Sequence, residues 1–154
     1  MNGIATFNNL IINAVGNYTL TASDGTLTGA TSQSFPVFGV AAKLGFMQQP
    51  TNTATGVAIS PAVTVAVQDA NGSTVGTNNS TVTLTLGGGT FAGGSNTASV
   101  AAVNGIATFS NLIINAAGNY TLTAGNGALT GAVSQSFTIS VVAAKLARIF
   151  HPSS

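Results

Sequence analysis

Several residue types that build functional sites are absent or scarce in this sequence. There is no Cys, Trp or Glu, and 3% of the residues are charged, against ~25% in ordinary domains. Without Cys there is neither a disulfide framework nor a thiolate site, and a net charge of +1 offers no basic patch for nucleic acid. No apolar run approaches the ~18 residues that predict a membrane span. No basic and apolar leader is present, so we expect any export signal to lie outside this segment.

The residues that are abundant predict a buried core with an uncharged surface. Apolar residues make up 45% of the chain, which is too much for a disordered, solvated tail. Because charges are so few, Thr, Ser, Asn and Gly must form the solvent-exposed surface. Hydroxyl-bearing strands of this kind predict an extracellular or cell-surface sheet protein. The low charge also weakens the usual protection of sheet edges, so open strand edges are a predicted route to a homo-oligomer.

One stretch of the sequence occurs twice. Residues 2–22 read NGIATFNNLIINAVGNYTLTA, and residues 104–124 read NGIATFSNLIINAAGNYTLTA. The spacing is 102 residues, and 33 of the 43 positions that pair 2–44 with 104–146 are identical. The sequence therefore predicts a tandem repeat. Residues 1–41 are the C-terminal half of one repeat, 42–142 are a complete repeat, and 143–154 are the truncated start of the next.

The hydrophobic pattern predicts an all-β fold, an antiparallel β-sandwich of about seven strands in the complete repeat. Turn signals recur about every ten residues, and no helical periodicity of useful length is present. Predicted strands cover 43–49, 62–68, 74–75, 81–86, 97–103, 106–109, 120–124 and 136–141, and in the first half-repeat 4–7, 18–22 and 34–40. Alternation places one set of side chains inward, namely Val63, Val65, Val67, Val82, Leu84, Leu86, Tyr120, Leu122, Ala124, Phe137, Ile139 and Val141. It places Thr64, Ala66 and Gln68 outward.

Two local features bear on this sandwich. Asn104-Gly105 predicts a type I′ turn that joins residues 97–103 and 106–109 as a hairpin. Tyr120, with Tyr18 in the same place of the first copy, fits either a tyrosine corner, whose hydroxyl bonds to the backbone, or an ordinary core Tyr. Residues 1–41 lack a partner sheet, so we expect them to be less stable than the rest or to borrow a partner.

The order of motifs resembles a known family. The segments AAKLGF.QQP, SPAVTVAVQDANG, VTLTL, NGIATFSNL and AGNYTLTA resemble the bacterial immunoglobulin-like repeats of large surface proteins and adhesins, including the invasin/intimin type. The resemblance covers one full repeat and both partial ones, and it is most specific in V.V.V.D..G and G.ATF…GNYTLTA. It implies an immunoglobulin-like sandwich. In that family such modules are stacked as stalks and spacers, so the partners are neighbouring repeats, and binding is usually confined to tip domains.

Candidate functional residues are few, and each has a simple structural interpretation. Asp69, in the DANG turn, most simply accepts hydrogen bonds from its own turn, and as a calcium ligand it lacks carboxylate neighbours. Asp24 corresponds to Asn126 in the second copy, which favours turn chemistry over function. The lone His151 is expected to be solvent-exposed or disordered. The sequence therefore predicts no catalytic residue, no metal ligand and no cofactor.

Three further patterns predict no site of their own. Gly87-Gly88-Gly89 and Gly93-Gly94 are not followed by Lys-Ser/Thr, so they predict a flexible loop rather than a phosphate-binding loop. An intramolecular Lys–Asn isopeptide bond at Lys43 or Lys145 needs a buried carboxylate, and the chain has two Asp to supply it. Sequons for N-glycosylation are expected by chance in such a composition and matter in a glycosylating host. They begin at Asn17, Asn71, Asn78, Asn79 and Asn119.

These observations favour a structural spacer or stalk module in a bacterial cell-surface or secreted adhesin-like protein, without catalysis. One alternative is self-assembly into dimers or fibres, in which a half-repeat with open edges accepts a strand from a neighbour. Another is a carbohydrate- or receptor-binding module, for which exposed aromatic side chains are needed and Phe38 and Phe91 are the candidates. An enzyme is the least expected class, because catalysis needs positioned acids, bases or nucleophiles.

Overall fold

A computed structural model describes residues 1–142 as strands joined by turns and loops. In this part of the chain there is no helix long and apolar enough to cross a membrane. The chain divides into two compact units, Met1–Gly39 and a second unit that begins at Val40. The predicted start of a further repeat, residues 143–154, lies outside the described residues, and so does His151.

The first unit consists of two short antiparallel strand pairs, in which β1 (Gly16–Tyr18) pairs with β4 (Phe35–Val37) and β2 (Thr21–Ala22) pairs with β3 (Ala30–Thr31). The predicted strand 18–22 is divided between β1 and β2, and the strand predicted at 34–40 is limited to β4. The strand predicted at 4–7 does not form. A strand needs a neighbour for its backbone hydrogen bonds, and the first unit supplies none to residues 4–7.

The second unit is an all-β sandwich, as predicted. Its seven strands of four or more residues match the predicted number, and two strands of two residues accompany them within 40–142. The strands are β5 (Lys43–Gln48), β6 (Thr53–Ala54), β7 (Val63–Gln68), β8 (Thr81–Gly87), β9 (Thr97–Ala101), β10 (Ile106–Phe109), β11 (Gly118–Gly125), β12 (Ala132–Val133) and β13 (Phe137–Ser140). One sheet has the order β10-β7-β5, and the other has the order β6-β13-β11-β8-β9, with β12 also paired to β11.

The core of the second unit lies between its two sheets and consists of the alternate side chains of facing strands. Burying an aliphatic or aromatic side chain contributes ~1.5–3 kcal/mol, so this joined cluster is the main stabilising term. Eleven of the twelve side chains predicted to point inward are in it: Val63, Val65, Val67, Val82, Leu84, Leu86, Tyr120, Leu122, Ala124, Phe137 and Ile139.

Two side chains differ in exposure from what the alternation predicts. Ala66 is predicted to face outward and is absent from the core cluster, but it is buried, because it lies on the central strand of its sheet between Gly45 and Ile106, its partners in the ladders on either side. Val141 was predicted to face inward but is exposed, because β13 ends at Ser140. In both cases the neighbouring strands, rather than the alternation along one strand, decide which side chains are covered.

The Asn104-Gly105 turn connects the two sheets. Its φ angles are +53° and +81°, as a type I′ turn requires, and Val103 and Ile106 exchange backbone hydrogen bonds of 2.9 and 3.0 Å. The predicted turn is confirmed, but the predicted hairpin stops there. Strand β9 pairs with β8 and strand β10 pairs with β7, so the turn carries the chain from the larger sheet to the smaller one.

The edge of the larger sheet at β13 is closed by neutral groups. Strand β6 pairs with it in parallel through Thr53 and Ala54. Beside this short ladder, the side-chain oxygen of Asn52 accepts a hydrogen bond of 2.8 Å from the Thr138 N–H, and that of Gln49 accepts one of 2.9 Å from the Gln135 N–H. Side-chain amides therefore do here what charged residues commonly do at sheet edges.

Candidate functional site

The outer face of the larger sheet carries a continuous set of hydroxyl side chains. Strand β8 alternates between buried aliphatic residues and outward threonines, because its sequence, TVTLTLG, has a strict period of two. Strand β11 continues the pattern with Thr121 and Thr123, and β9 adds Thr97 and Ser99. We call this the hydroxyl face. It consists of eight hydroxyl side chains and one amide, namely Thr81, Thr83, Thr85, Thr97, Ser99, Thr121, Thr123, Thr138 and Asn119.

The strand register aligns these side chains in rows. Thr97, Thr85 and Thr123 face one another across β9, β8 and β11, with neighbouring strands ~4.8 Å apart. In the next row the hydroxyl oxygens of Thr83 and Ser99 are 2.7 Å apart. A hydroxyl both donates and accepts hydrogen bonds, so each row offers both functions to a ligand that lies across the strands.

The hydroxyl face carries no charge, because no strand of the larger sheet contains Asp, Glu, Lys or Arg. At the end of the face the Thr138 hydroxyl donates to Asn119 Oδ1 over 2.7 Å, so part of the surface is already ordered by its own hydrogen bonds. Such a surface is suited to neutral ligands with many hydroxyl groups. The strands that form this face carry no carboxylate and no imidazole group.

The glycine-rich loop between β8 and β9 differs from the flexible loop that the sequence predicts. The Ala92 N–H donates to the Ile113 carbonyl over 2.7 Å, and the Phe91 N–H donates to the Ser95 carbonyl over 2.8 Å. Phe91 is 8% exposed and belongs to the core, so its prediction as an exposed binding aromatic is wrong. The burial of Phe91 attaches the loop to the sandwich.

A shallow cleft of about 410 Å³ lies beside this loop, lined by residues 88–94, Asn115, Ala116 and Tyr120. The Tyr120 hydroxyl donates to the Ala116 carbonyl over 2.8 Å, and Tyr18 makes the same bond to Ala14 in the first unit. Of the two alternatives for these tyrosines, the one with a backbone hydrogen bond is therefore confirmed. Because Tyr120 is committed to the backbone and buried, it is not a stacking platform.

Both aspartates act within their own turns. Asp69 Oδ1 accepts hydrogen bonds from the N–H groups of Asn71 and Ser73, at 2.9 and 3.0 Å, as predicted from the DANG sequence. Asp24 Oδ1 accepts hydrogen bonds from the N–H groups of Leu27 and Thr26, which hold the pKa of its carboxyl group below its usual value. No group of three or more potential metal ligands occurs in residues 1–142.

The comparison of Asp24 with its counterpart supports the turn interpretation. Asn126 Oδ1 accepts hydrogen bonds from the N–H groups of Ala128 and Leu129, at 3.3 and 3.1 Å, which are the positions bonded by Asp24 in the first unit. A neutral amide therefore does the same work as the carboxylate. The function of this position is structural.

The remaining candidates do not converge on one site. Lys43 lies on β5 opposite Gln68, and Lys145 is outside the described residues. Phe38 is 37% exposed and belongs to the first unit. The sequon asparagines are spread over both units, and Asn119 and Asn78 use their side-chain oxygens in hydrogen bonds with Thr138 and Ser80.

The first unit contains an open apolar cleft of about 440 Å³, lined by Phe7, Leu10, Leu20, Thr21, Ala22, Ala30, Thr31 and Ser32. Sequence reasoning identified the uncovered face of this half-repeat but not the hydroxyl face of the second unit. The alternation of β8 by itself predicts that its threonines face solvent and indicates nothing more specific. The signal for the hydroxyl face is that outward hydroxyl side chains recur on neighbouring strands. This recurrence can be recognised once the register of the strands is known.

Comparisons with known proteins give a fold match and no family. No family model matches the chain, and no curated protein matches it. Among solved structures, the chain is similar to a glycosyl hydrolase family 2 member from Bacteroides cellulosilyticus, with a TM-score of 0.52, 15% identity and 84% of this chain covered. It is also similar to apo β-glucuronidase 3 from Bacteroides uniformis, with a TM-score of 0.45, 16% identity and 84% of the chain covered. The second score is too low to support an argument.

The chain spans a small part of these proteins, 18% and 17% of their lengths. The first match places the chain in the class of β-sandwich domains. The prediction of a spacer in a bacterial adhesin is corrected by this comparison, because the matching structure is a glycosyl hydrolase.

Proposed function

We propose that this chain is a non-catalytic, carbohydrate-binding β-sandwich module of a larger carbohydrate-active protein. The observation that supports it is the similarity of 84% of the chain to a stretch that makes up 18% of a glycosyl hydrolase family 2 member. A part of that size is suited to an accessory domain beside a catalytic one. The hydroxyl face supplies a surface whose chemistry fits this function.

The ligand class follows from the chemistry of the hydroxyl face. Sugar hydroxyls and protein hydroxyls can each donate and accept, and a single such hydrogen bond contributes ~0.5–1.5 kcal/mol net. Binding through this face must therefore use several bonds at once, across the row of Thr97, Thr85 and Thr123. Because the face is uncharged, the ligand we propose is a neutral polysaccharide, met outside the cell.

A catalytic role does not fit the residues. Glycoside hydrolysis commonly uses two carboxyl groups on either side of the scissile bond. The chain contains two Asp and no Glu, and Asp24 and Asp69 belong to different units, where their Oδ1 atoms accept hydrogen bonds from turn N–H groups. In the proposed function, catalysis belongs to another part of the larger protein.

We further propose that the sandwich is immunoglobulin-like and part of a tandem repeat. The sheet orders β10-β7-β5 and β6-β13-β11-β8-β9 support it. The first two strands of the unit belong to different sheets: β5 pairs with β7 in the smaller sheet, and β6 pairs in parallel with β13 in the larger one. The backbone-bonded Tyr120 at the start of the late strand β11 supports it as well. The sequence repeat at a spacing of 102 residues supports the tandem arrangement.

The proposal is tested by removing hydroxyls from the face without changing its shape. The triple variant Thr83→Val, Thr85→Val and Thr123→Val removes three hydroxyls from adjacent rows. Retention on xylan, β-glucan and mannan is measured by affinity electrophoresis. We expect the unmodified chain to be retained by at least one of them. The triple variant should bind at least about tenfold more weakly, since each of the three lost bonds contributes ~0.5–1.5 kcal/mol.

The matched control replaces two threonines on the smaller sheet, Thr64→Val and Thr108→Val, which lie on β7 and β10. This control should bind like the unmodified chain. Equal loss in both variants, or no retention of the unmodified chain on any neutral polysaccharide, would overturn the proposal.

A further inference from the structure

The first unit reproduces the local structure of the last three strands of the second unit. In the first unit Gly16 pairs with Val37 and Tyr18 with Phe35; in the second, 102 residues later, Gly118 pairs with Ile139 and Tyr120 with Phe137. The same offset relates the β2–β3 register to that of β11 and β12. The half-repeat is therefore already shaped as one face of a sandwich.

Hydrogen bonds within the half-repeat are reproduced as well. The Ser32 hydroxyl accepts from the Leu20 N–H over 2.9 Å and donates to the Gln33 carbonyl over 2.8 Å. Ser134 makes the same two bonds, to the Leu122 N–H and the Gln135 carbonyl, at the same distances. The half-repeat thus keeps its local geometry without a covering sheet.

The difference between the two copies lies in what covers them. Phe7 is 71% exposed where Phe109 is 2% exposed, and Leu10 is 60% exposed where Leu112 is 4% exposed. Leu20 is 46% exposed where Leu122 is fully buried. We call the surface formed by Phe7, Leu10 and Leu20 the open face. Identical side chains are core in one copy and surface in the other.

The second unit shows which strands lie beside the residues that correspond to the open face. Leu122 pairs with Leu86 of β8, Ile139 pairs with Thr53 of β6, and β10 pairs with β7. All three covering strands belong to residues 42–101. In the first unit the corresponding positions, Leu20, Val37 and residues 4–7, have no such strand beside them within residues 1–39. The open face therefore lacks three ladders as well as an apolar cover.

The turn through which such a cover enters is also formed. Asn2 and Gly3 have φ angles of +56° and +78°, close to those of Asn104 and Gly105. Met1 and Ile4 exchange hydrogen bonds of 3.0 and 3.1 Å, as Val103 and Ile106 do in the second unit. A strand that ends at residue 1 would therefore be joined to residues 4–7 by the same turn geometry that joins β9 to β10.

We propose that the open face binds a polypeptide segment with the strand pattern of residues 42–103, which enters through the Asn2-Gly3 turn and completes a second sandwich. A second copy of the chain could supply this segment only by removing it from its own sandwich. Each chain contains one such segment, and its own residues 104–140 already use it. The occupant is thus a further front half of the same repeat, joined directly before Asn2.

The test extends the full chain by a copy of residues 42–103 placed directly before Asn2, in place of Met1. We expect amide exchange of the β1–β4 strands to slow by roughly a hundredfold or more, because their hydrogen bonds move from an open sheet into a folded core. In the extended chain, Leu20→Asp should abolish this protection. The control Thr19→Asp, on the neighbouring and oppositely directed side chain, should leave it intact.

A second measurement detects the register directly and does not require a stable variant at Leu20→Asp. The chain has no Cys, so one pair of introduced cysteines is unambiguous. Leu20→Cys should form a disulfide with a cysteine at the position of the added copy that corresponds to Leu86, its predicted opposite. A cysteine at the position corresponding to Thr85 points to the other face and should not react.

Two outcomes would overturn the proposal. The first is an extended chain with neither protection of the first unit nor the Leu20 disulfide. The second is concentration-dependent association of the unextended chain that Leu20→Asp abolishes, which would identify a second copy as the occupant of the open face.

Discussion

In the described part of the chain, short hydrogen bonds from single side chains to nearby backbone groups help to hold the fold. Ser134 is one of two buried polar residues in the described chain, and its hydroxyl accepts the hydrogen bond of the Leu122 N–H. Asp24 and Asn126 bond equivalent turn N–H groups although one is charged. The short polar side chains that dominate the composition thus satisfy backbone groups close to them in space.

At this scale we predict the effect of Ser134→Ala. The substitution leaves the buried Leu122 N–H without its acceptor, which costs ~1–3 kcal/mol of unfolding free energy. Chemical denaturation of the second unit, followed by amide exchange of its core strands, measures the change. The control Ser136→Ala alters an exposed serine two residues away and should stay within ~0.5 kcal/mol of the unmodified chain. Equal effects would show that the Ser134 hydrogen bond does not matter.

Among the elements, the Asn-Gly turns and the strands differ in how well the sequence predicts them. The turn at Asn104-Gly105, the alternation of β7 and β8 and the inward side chains of β11 follow from the residues themselves. The separation of β9 and β10 into different sheets does not, because pairing partners are set by contacts far apart in sequence. For the same reason residues 4–7 carry a strand pattern but form no strand in the first unit.

The two Asn-Gly turns provide a matched pair for a test at the element scale. A Cβ at Gly105 would lie 2.5 Å from the Val75 carbonyl oxygen, whereas one at Gly3 would have nothing within 4 Å. Both glycines have positive φ, where a side chain costs ~1–2 kcal/mol. Gly105→Ala should therefore destabilise the second unit by more than this strain alone.

The Gly3→Ala variant should leave the second unit unchanged, because Gly3 belongs to the first unit. The free energy of opening, measured by amide exchange of Leu84 and Leu122, distinguishes the two variants. If Gly105→Ala costs no more than the ~1–2 kcal/mol of backbone strain, the close approach to the Val75 carbonyl is not a constraint.

At the scale of the whole molecule, the two units differ in how much of their apolar surface is covered. The second unit has a joined core, and the first unit has an apolar cleft open to solvent. The sequence repeat predicted this difference, since it identified residues 1–41 as a half without its partner sheet. The hydroxyl face could not be predicted in the same way, because it depends on the order of strands in the larger sheet.

The difference in coverage predicts the course of proteolysis. Regions with few buried apolar contacts open at low free-energy cost and are cut first. Thermolysin should therefore cleave within residues 4–28 before it cleaves strands β5 to β13, and a fragment that begins near residue 40 should accumulate. Mass spectrometry of a time course identifies it. Simultaneous loss of both units would contradict the independent stability of the second.

The amide contacts at Gln49 and Asn52 have a consequence for the conditions the sandwich can withstand. Neither group titrates, and contacts without net charge are little affected by dissolved ions. We therefore expect the hydrogen bonds along this edge of the sheet to persist at low pH and at high salt concentration. A sheet edge protected by lysine and carboxylate side chains would lose its electrostatic protection under the same conditions.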